Sequence, residues 1–385
     1  MTGLKTLFVV SFAASLLMIG VGMIVALLPL RVLAFSGSLQ EVGYIASYFA
    51  ISYLLIQLPI GSLADRFGAK GFLISGYLVC TVSGIIFFYA LSPETIFAGR
   101  FIQGIGEAPI WALGPALLSL TYPNAKGRVI GIYNASIHAG LTIGPLLVMA
   151  FFSSSASNIP FLLFAGLCLI GTIIIALLLP AVRPSANAVI AKAPSTRDII
   201  KLLSFRGPLF ALTGILLYGA CYGIFITVLP ASLSLSKGFD GIDIGIYFAL
   251  FYVAISVSQL IVGPLTDRHG RHVYMIAGLA MAALGIAGFN LFVLPLVYLP
   301  LTFASFGLGV FCVSSMAYLN ECVPDKLKAT ISCSYYLAWG LGYFLGPLLI
   351  GWMGETEHLG QAYYILALLI GLQTIALHTI KKGSI

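Results

Sequence analysis

Twelve long apolar runs, separated by short polar breaks, set the organisation of this chain. The first six cover Leu7 to Leu33, Val42 to Leu63, Phe72 to Leu91, Ile96 to Leu120, Val129 to Phe152 and Pro160 to Pro180. The second six cover Pro208 to Leu233, Ile242 to Val262, Val273 to Leu291, Leu294 to Leu319, Ala329 to Trp352 and Gln361 to Ile380. Each is near or above the length of about 20 residues that crosses a bilayer as a helix. Alternating strand patterning is absent, and open sheets cannot satisfy their backbone groups in lipid. The pattern predicts an all-α polytopic membrane protein with twelve transmembrane helices in two six-helix bundles, residues 1–180 and 207–385, joined by a linker at 181–206.

The two bundles are expected to be pseudo-symmetric, because polar landmarks recur at a fixed offset. Gly61 to Lys70 reads GSLADRFGAK and Gly263 to His272 reads GPLTDRHGRH, 202 positions later. Gly140-x-x-x-Gly144-Pro145 returns as Gly342-x-x-x-Gly346-Pro347, and Lys126 returns as Lys328. In so apolar a chain, a duplication of this size is the mark of a secondary transporter whose halves rock around a central site.

Composition agrees, with 60% hydrophobic and 8% charged residues, against roughly a quarter charged in soluble globules. The net charge of +7 does not imply nucleic acid once the charges are placed. Sixteen of the nineteen Lys and Arg fall in segments that share one side, which the positive-inside rule makes the cytoplasm, with both termini there. The six Cys lack paired spacing and read as small packing residues, so neither disulfide nor metal nor other cofactor is expected. The linker carries Pro, Ala and basic residues; Ser195 to Leu203 within it fits either a short capped surface helix or a loose tether.

The repeated loop has a physical logic. Gly61 and Gly68 permit close approach and a tight turn, Arg66 and Lys70 obey the charge rule, and Asp65 is an anion beside helix ends. Asp65 is expected to face the start of the eleventh span, and Asp267, followed by Arg268, the start of the fifth, as a cytoplasmic latch; the alternative is an ordinary basic loop. At these residues the chain resembles the major facilitator superfamily, over essentially its whole length. Arg100-Phe101-Ile102-Gln103-Gly104-Ile105-Gly106 is similar to the helix 4 motif of the drug:proton antiporter branch, and Gly140 to Pro145 to its helix 5 motif. That resemblance implies transport with proton antiport. Ala69 departs from the loop motif, which often carries a basic residue there, and the second Gly-Pro copy in span 11 allows helix packing as an equally good reason for that motif.

Glu107 is the only acidic residue deep inside a span. An ionised carboxylate there costs about 2.5 to 3.5 kcal/mol on insertion scales, so it must be neutral, paired or facing water. Arg100 lies two turns earlier on the same face, about 10 Å away along the axis, and a water-filled cavity is expected to couple the two. With His138 of span 5, these form the candidate proton-coupling set; helix bonding by a protonated Glu107 and packing by His138 are the alternatives. Arg31, Tyr218, Tyr222, Tyr335, Tyr336 and Trp339 are the candidate substrate cavity, although snorkelling also accounts for Arg31 and lipid contact for some aromatics. Few charges among so many rings suit an amphipathic or weakly polar organic substrate.

The reading that follows is a monomeric transporter of a bacterial inner membrane that exports a small organic compound in exchange for protons. A uniporter or proton symporter for a nutrient is the rival within transport. A membrane enzyme requires a cluster of nucleophile, acid and base or metal ligands near one interface, and the sequence offers none.

Overall fold

The computed structural model describes residues 2–122, 126–151, 157–180, 205–322, 328–355 and 358–379. The helices are α1 (Thr2–Ser36), α2 (Leu39–Phe67), α3 (Ala69–Phe88), α4 (Pro93–Thr121), α5 (Lys126–Phe151), α6 (Ile159–Leu178) and α7 (Arg206–Ile226). They continue as α8 (Val228–Lys237), α9 (Gly241–His269), α10 (Arg271–Gly288), α11 (Tyr298–Glu321), α12 (Lys328–Gly354) and α13 (Leu359–His378), with a 3-10 turn at Phe289–Leu291. No strand occurs among the described residues. The chain is an integral membrane protein: eleven of these helices are long and apolar enough to cross a bilayer.

Two helices are missing from those eleven: α8, which has only ten residues, and α4. The 29 residues of α4 are about 44 Å long, ample for a bilayer, but Arg100, Gln103 and Glu107 lower its apolar character. The seventh run also departs from expectation, since Pro208 to Leu233 is not one helix. It breaks at Thr227, with φ −129° and ψ −80°, between α7 and α8. Pro230 has no N–H to offer the Ile226 carbonyl four residues back, and at the break the Thr227 hydroxyl donates to the Gly223 carbonyl at 2.6 Å. The proposed linker helix, Ser195 to Leu203, lies outside the described residues.

The chain forms two compact units. The first comprises Met1–Gly37, Tyr44–Ala191 and Asp240–Ala249; the second comprises Ser38–Gly43, Lys192–Phe239 and Leu250–Ile385. In the first, α1 packs on α5 and α6, and α3 on α4 and α6; Leu17, Tyr77, Phe87, Phe161 and Phe164 fill the space between them. In the second, α7 packs on α12, and α10 on α11 and α13, around Phe225, Phe251 and Phe311.

Both copies of the loop motif are helix corners of a single residue. Gly68 joins α2 to α3 with φ 88°, and Gly270 joins α9 to α10 with φ 91°, a region that only glycine enters without strain.

Candidate functional site

Helix α4 begins where Ser92 accepts the amide of Thr95 on its side chain and Pro93 supplies the first helical φ. Arg100, Gln103, Glu107 and Trp111 then follow at steps of three and four, which line up on one face of the helix. Arg100, Gln103 and Glu107 are 2%, 0% and 3% exposed, so this is a buried polar ladder. Arg100 Nη1 donates to Gln103 Oε1 at 2.9 Å, and Gln103 Nε2 donates to Glu107 Oε1 at 2.7 Å. Trp111 Nε1 donates to the other carboxylate oxygen at 3.0 Å.

Arg100 and Glu107 are thus joined through one side chain, that of Gln103. An amide bridges the gap that one-face spacing leaves, where a water-filled cavity was expected. Helix α2 completes the guanidinium's surroundings: Nε donates to the Ile45 carbonyl at 3.2 Å, and the Phe49 ring lies 4.6 Å from the guanidinium carbon. Two glycines of the motif make room for this. A Cβ at Gly104 would meet Ser52 Oγ and the Phe49 carbonyl of α2, and one at Gly106 would meet Cys80 and the Gly76 carbonyl of α3. The motif's polar letters make the ladder and its glycines seat it against two neighbours.

His138 is not hydrogen-bonded to this ladder; its Nδ1 is buried with no hydrogen-bond partner among the described residues. Its carbonyl accepts the Thr142 hydroxyl at 2.9 Å. Gly140 and Gly144 are where α5 meets α1, since a Cβ at either would strike the α1 backbone, and Pro145 lies against Gly22. Gly342 and Gly346 stand in the same relation to Leu216 and Ala220 of α7. Both copies of the motif are thus helix contacts.

Arg31 is held at the end of α1 by Asn158 Oδ1 at 2.6 Å and the Ser157 carbonyl at 3.1 Å, with the Phe161 ring 5.5 Å away. Asn158 in turn donates to the Phe88 carbonyl at 3.0 Å, so the arginine ties the ends of α1 and α3 to the start of α6.

In the second unit several of the candidate aromatic residues are in ring contact. Tyr222 of α7 lies 6.2 Å from Tyr218 and 6.1 Å from Trp339 of α12, and Tyr335 lies 5.5 Å from Tyr336. Sequence reading missed three members of this group: Phe251 of α9 beside Tyr222, Phe311 of α11 beside Tyr218, and Tyr343 at 5.0 Å from Trp339. Cys312 joins it through the Tyr335 hydroxyl at 3.6 Å. Tyr343 was accessible to spacing, being one helical turn from Trp339.

At the repeated loops, Gly61 lies within α2, and the side chains of Asp65 and Asp267, on which the expected latch turns, lie outside what the structure describes. Arg66 stacks on the Phe67 ring at 5.1 Å, while Lys70 is half-buried and Arg268 exposed. A residue not singled out in the sequence gives the second copy its own tie. Arg271 reaches Glu321 at the end of α11 at 2.8 Å and donates to Thr266 Oγ1 at 2.6 Å.

With this geometry in view, likeness to other proteins is informative. The profile described as "Major Facilitator Superfamily" matches residues 10–347. The class C tetracycline resistance protein of Escherichia coli is 25% identical over 94% of this chain and 96% of its own length. Multidrug resistance protein 1 of Bacillus subtilis is 25% identical over 66% of this chain and 64% of its own. In fold, the chain is similar to a crystallised variant of the nucleoside transporter NupG, with a TM-score of 0.83 and 17% identity over 99% of this chain and 100% of that one.

Proposed function

We propose, from the premise that the chain belongs to the major facilitator superfamily, that it exports a small amphipathic organic compound in exchange for protons by alternating access. In this reading the twelve apolar runs are twelve spans in two pseudo-symmetric bundles, with α4 as the fourth span and α7 with α8 as the seventh. The protein is monomeric, sits in a bacterial inner membrane and keeps both termini in the cytoplasm. Asp65 and Asp267 serve as its cytoplasmic gate. The similar helix pairings of the two units and the twin glycine corners support this arrangement.

The observation that carries proton coupling is the buried ladder. Export against a proton needs a group that changes charge within the membrane, and Glu107 is a carboxylate joined to a fixed cation through one amide. With Glu107 ionised, the Gln103 dipole points its oxygen at the guanidinium and its N–H at the carboxylate, so both charges are satisfied without water. A proton on Glu107 removes that compensation from Arg100, which also bonds the Ile45 carbonyl and lies over the Phe49 ring of α2. Proton binding on α4 thus alters how strongly α4 is held to α2, which is a means of linking charge to helix movement. The ring cluster of α7, α9, α11 and α12 supports an amphipathic substrate, and the resistance proteins among the relatives support export.

The test uses inverted membrane vesicles with an imposed pH gradient, acid inside, and a panel that includes tetracycline and a nucleoside. Uptake into the lumen that depends on the gradient is expected. Glu107→Gln should abolish gradient-driven accumulation and leave counterflow measurable. A Glu107→Gln protein with full accumulation would remove the residue from the mechanism, and gradient-independent uptake would remove proton coupling altogether.

A further inference from the structure

The start of α2 is held by a residue 317 positions away in the chain. Ser38 caps the helix by accepting the Glu41 amide on Oγ at 3.2 Å, and donates the same hydroxyl to Glu355 Oε1 at 2.7 Å. The Gln40 amide donates to that carboxylate oxygen at 3.1 Å. A carboxylate from beyond the end of α12 therefore completes the cap of α2, at the positive end of its dipole. Both partners belong to the second unit. The backbones beside them are in close contact: a Cβ at Gly351 would meet the Leu39 carbonyl, one at Gly43 the Pro347 carbonyl, and one at Gly354 the Leu39 side chain.

The duplicated position is built differently. Ser38 corresponds, 202 residues on, to Asp240, and Asp240 caps α9 with its own carboxylate, accepting the amides of Ile242 at 2.8 Å and Asp243 at 2.9 Å. The α9 cap comes from the residue next to the helix and stays with it wherever the helix goes. The α2 cap holds only while the start of α2 and the end of α12 are together. We propose that Glu355 is a positioning residue: a cap supplied from a distance, which keeps the start of α2 seated on the end of α12 and is released when that joint opens during transport. This rests on the alternating-access reading but on neither the direction of transport nor proton coupling.

Leu39 reports the joint because it is 5% exposed and packs on Gly354. The experiment places Leu39→Cys in the full chain in nanodiscs and measures the rate at which a soluble maleimide labels it, corrected by the same chain without the added cysteine. Adding Glu355→Ala should raise that rate about five-fold, the scale of a lost helix cap, with Glu355→Asp intermediate. A second variant, Ser38→Asp with Glu355→Ala, gives α2 the local cap that α9 has. It should regain thermal stability while labelling as fast as Glu355→Ala alone. Labelling of Glu355→Ala at the parent rate, or a return to the parent rate in the Ser38→Asp variant, would reduce Glu355 to a structural cap and overturn the proposal. Neither measurement requires a substrate, so a failure of the export reading in vesicles is a separate result.

Discussion

Arg271 closes on Glu321 at 2.8 Å, and the residues 202 positions before them are Ala69 and Ser119, which cannot make the same pair. The departure of the first loop from its family pattern is therefore matched by a complete pair in the second. Glu321 is 58% exposed and Arg271 19%, so the pair is a surface interaction worth about 0.2–1 kcal/mol. A double-mutant cycle with Arg271→Ala and Glu321→Ala, read by thermal unfolding in detergent, should return a coupling energy in that range that shrinks in high salt.

Gln103→Leu keeps the side-chain bulk and removes both bonds of the bridge. It should destabilise the protein by about 1–3 kcal/mol, because a buried cation and a buried carboxylate each lose a partner. Gradient-driven transport should fall at least as far as in Glu107→Gln. Retention of normal coupling by this variant would show that the bridge is only structural.

Gly104→Ala tests the seat of the ladder. The added methyl meets Ser52 and the Phe49 carbonyl, and overpacking of this kind costs about 1–3 kcal/mol. Gly166→Ala in α6 is the control, since a Cβ there meets nothing within 4 Å, and it should be neutral or stabilising by up to about 1 kcal/mol. Equal melting temperatures for the two variants would contradict the close approach of α4 to α2.

The cap on α2 has a definite pH dependence. The Ser38 hydroxyl, then the Gln40 amide, hold the Glu355 carboxyl below its ordinary value of 4.5. A depressed value means stability that is present in full above 4.5 and is lost as pH falls through the lowered value. The difference in melting temperature between the parent and Glu355→Gln should be small and constant from about pH 8 to about pH 5, and should vanish at lower pH. A difference that grew on acidification would reverse the sign of the argument.

Much of this molecule is written in the spacing of its residues. The apolar runs mark the helices, and the depth of Arg100 and Glu107 within a run singles them out. Their connection was less legible. Gln103 was visible as part of a motif, but whether an amide or water bridges the pair depends on how tightly α2 and α3 close over α4, which the glycines decide in three dimensions. The break at Thr227 was not legible: Pro230 lacks an N–H, but so do Pro109, Pro145, Pro264 and Pro347, which sit inside continuous helices. The Arg271–Glu321 pair and the Glu355 cap were not readable at all, because each depends on where separate helix ends come to rest.

The shortfall of α4 in apolar character bears on how the protein is made. A helix that carries an arginine and a glutamate is a poor candidate to partition into lipid by itself. The groups that receive Arg100, the Ile45 carbonyl and the Phe49 ring, belong to α2, and the surface that receives Gly106 belongs to α3. Both helices are synthesised before α4. With α4 as the fourth span, as proposed, its insertion is expected to depend on partners already in the membrane, and a circular permutant whose chain began between α3 and α4 should insert α4 poorly, because nothing would yet be there to accept its charge.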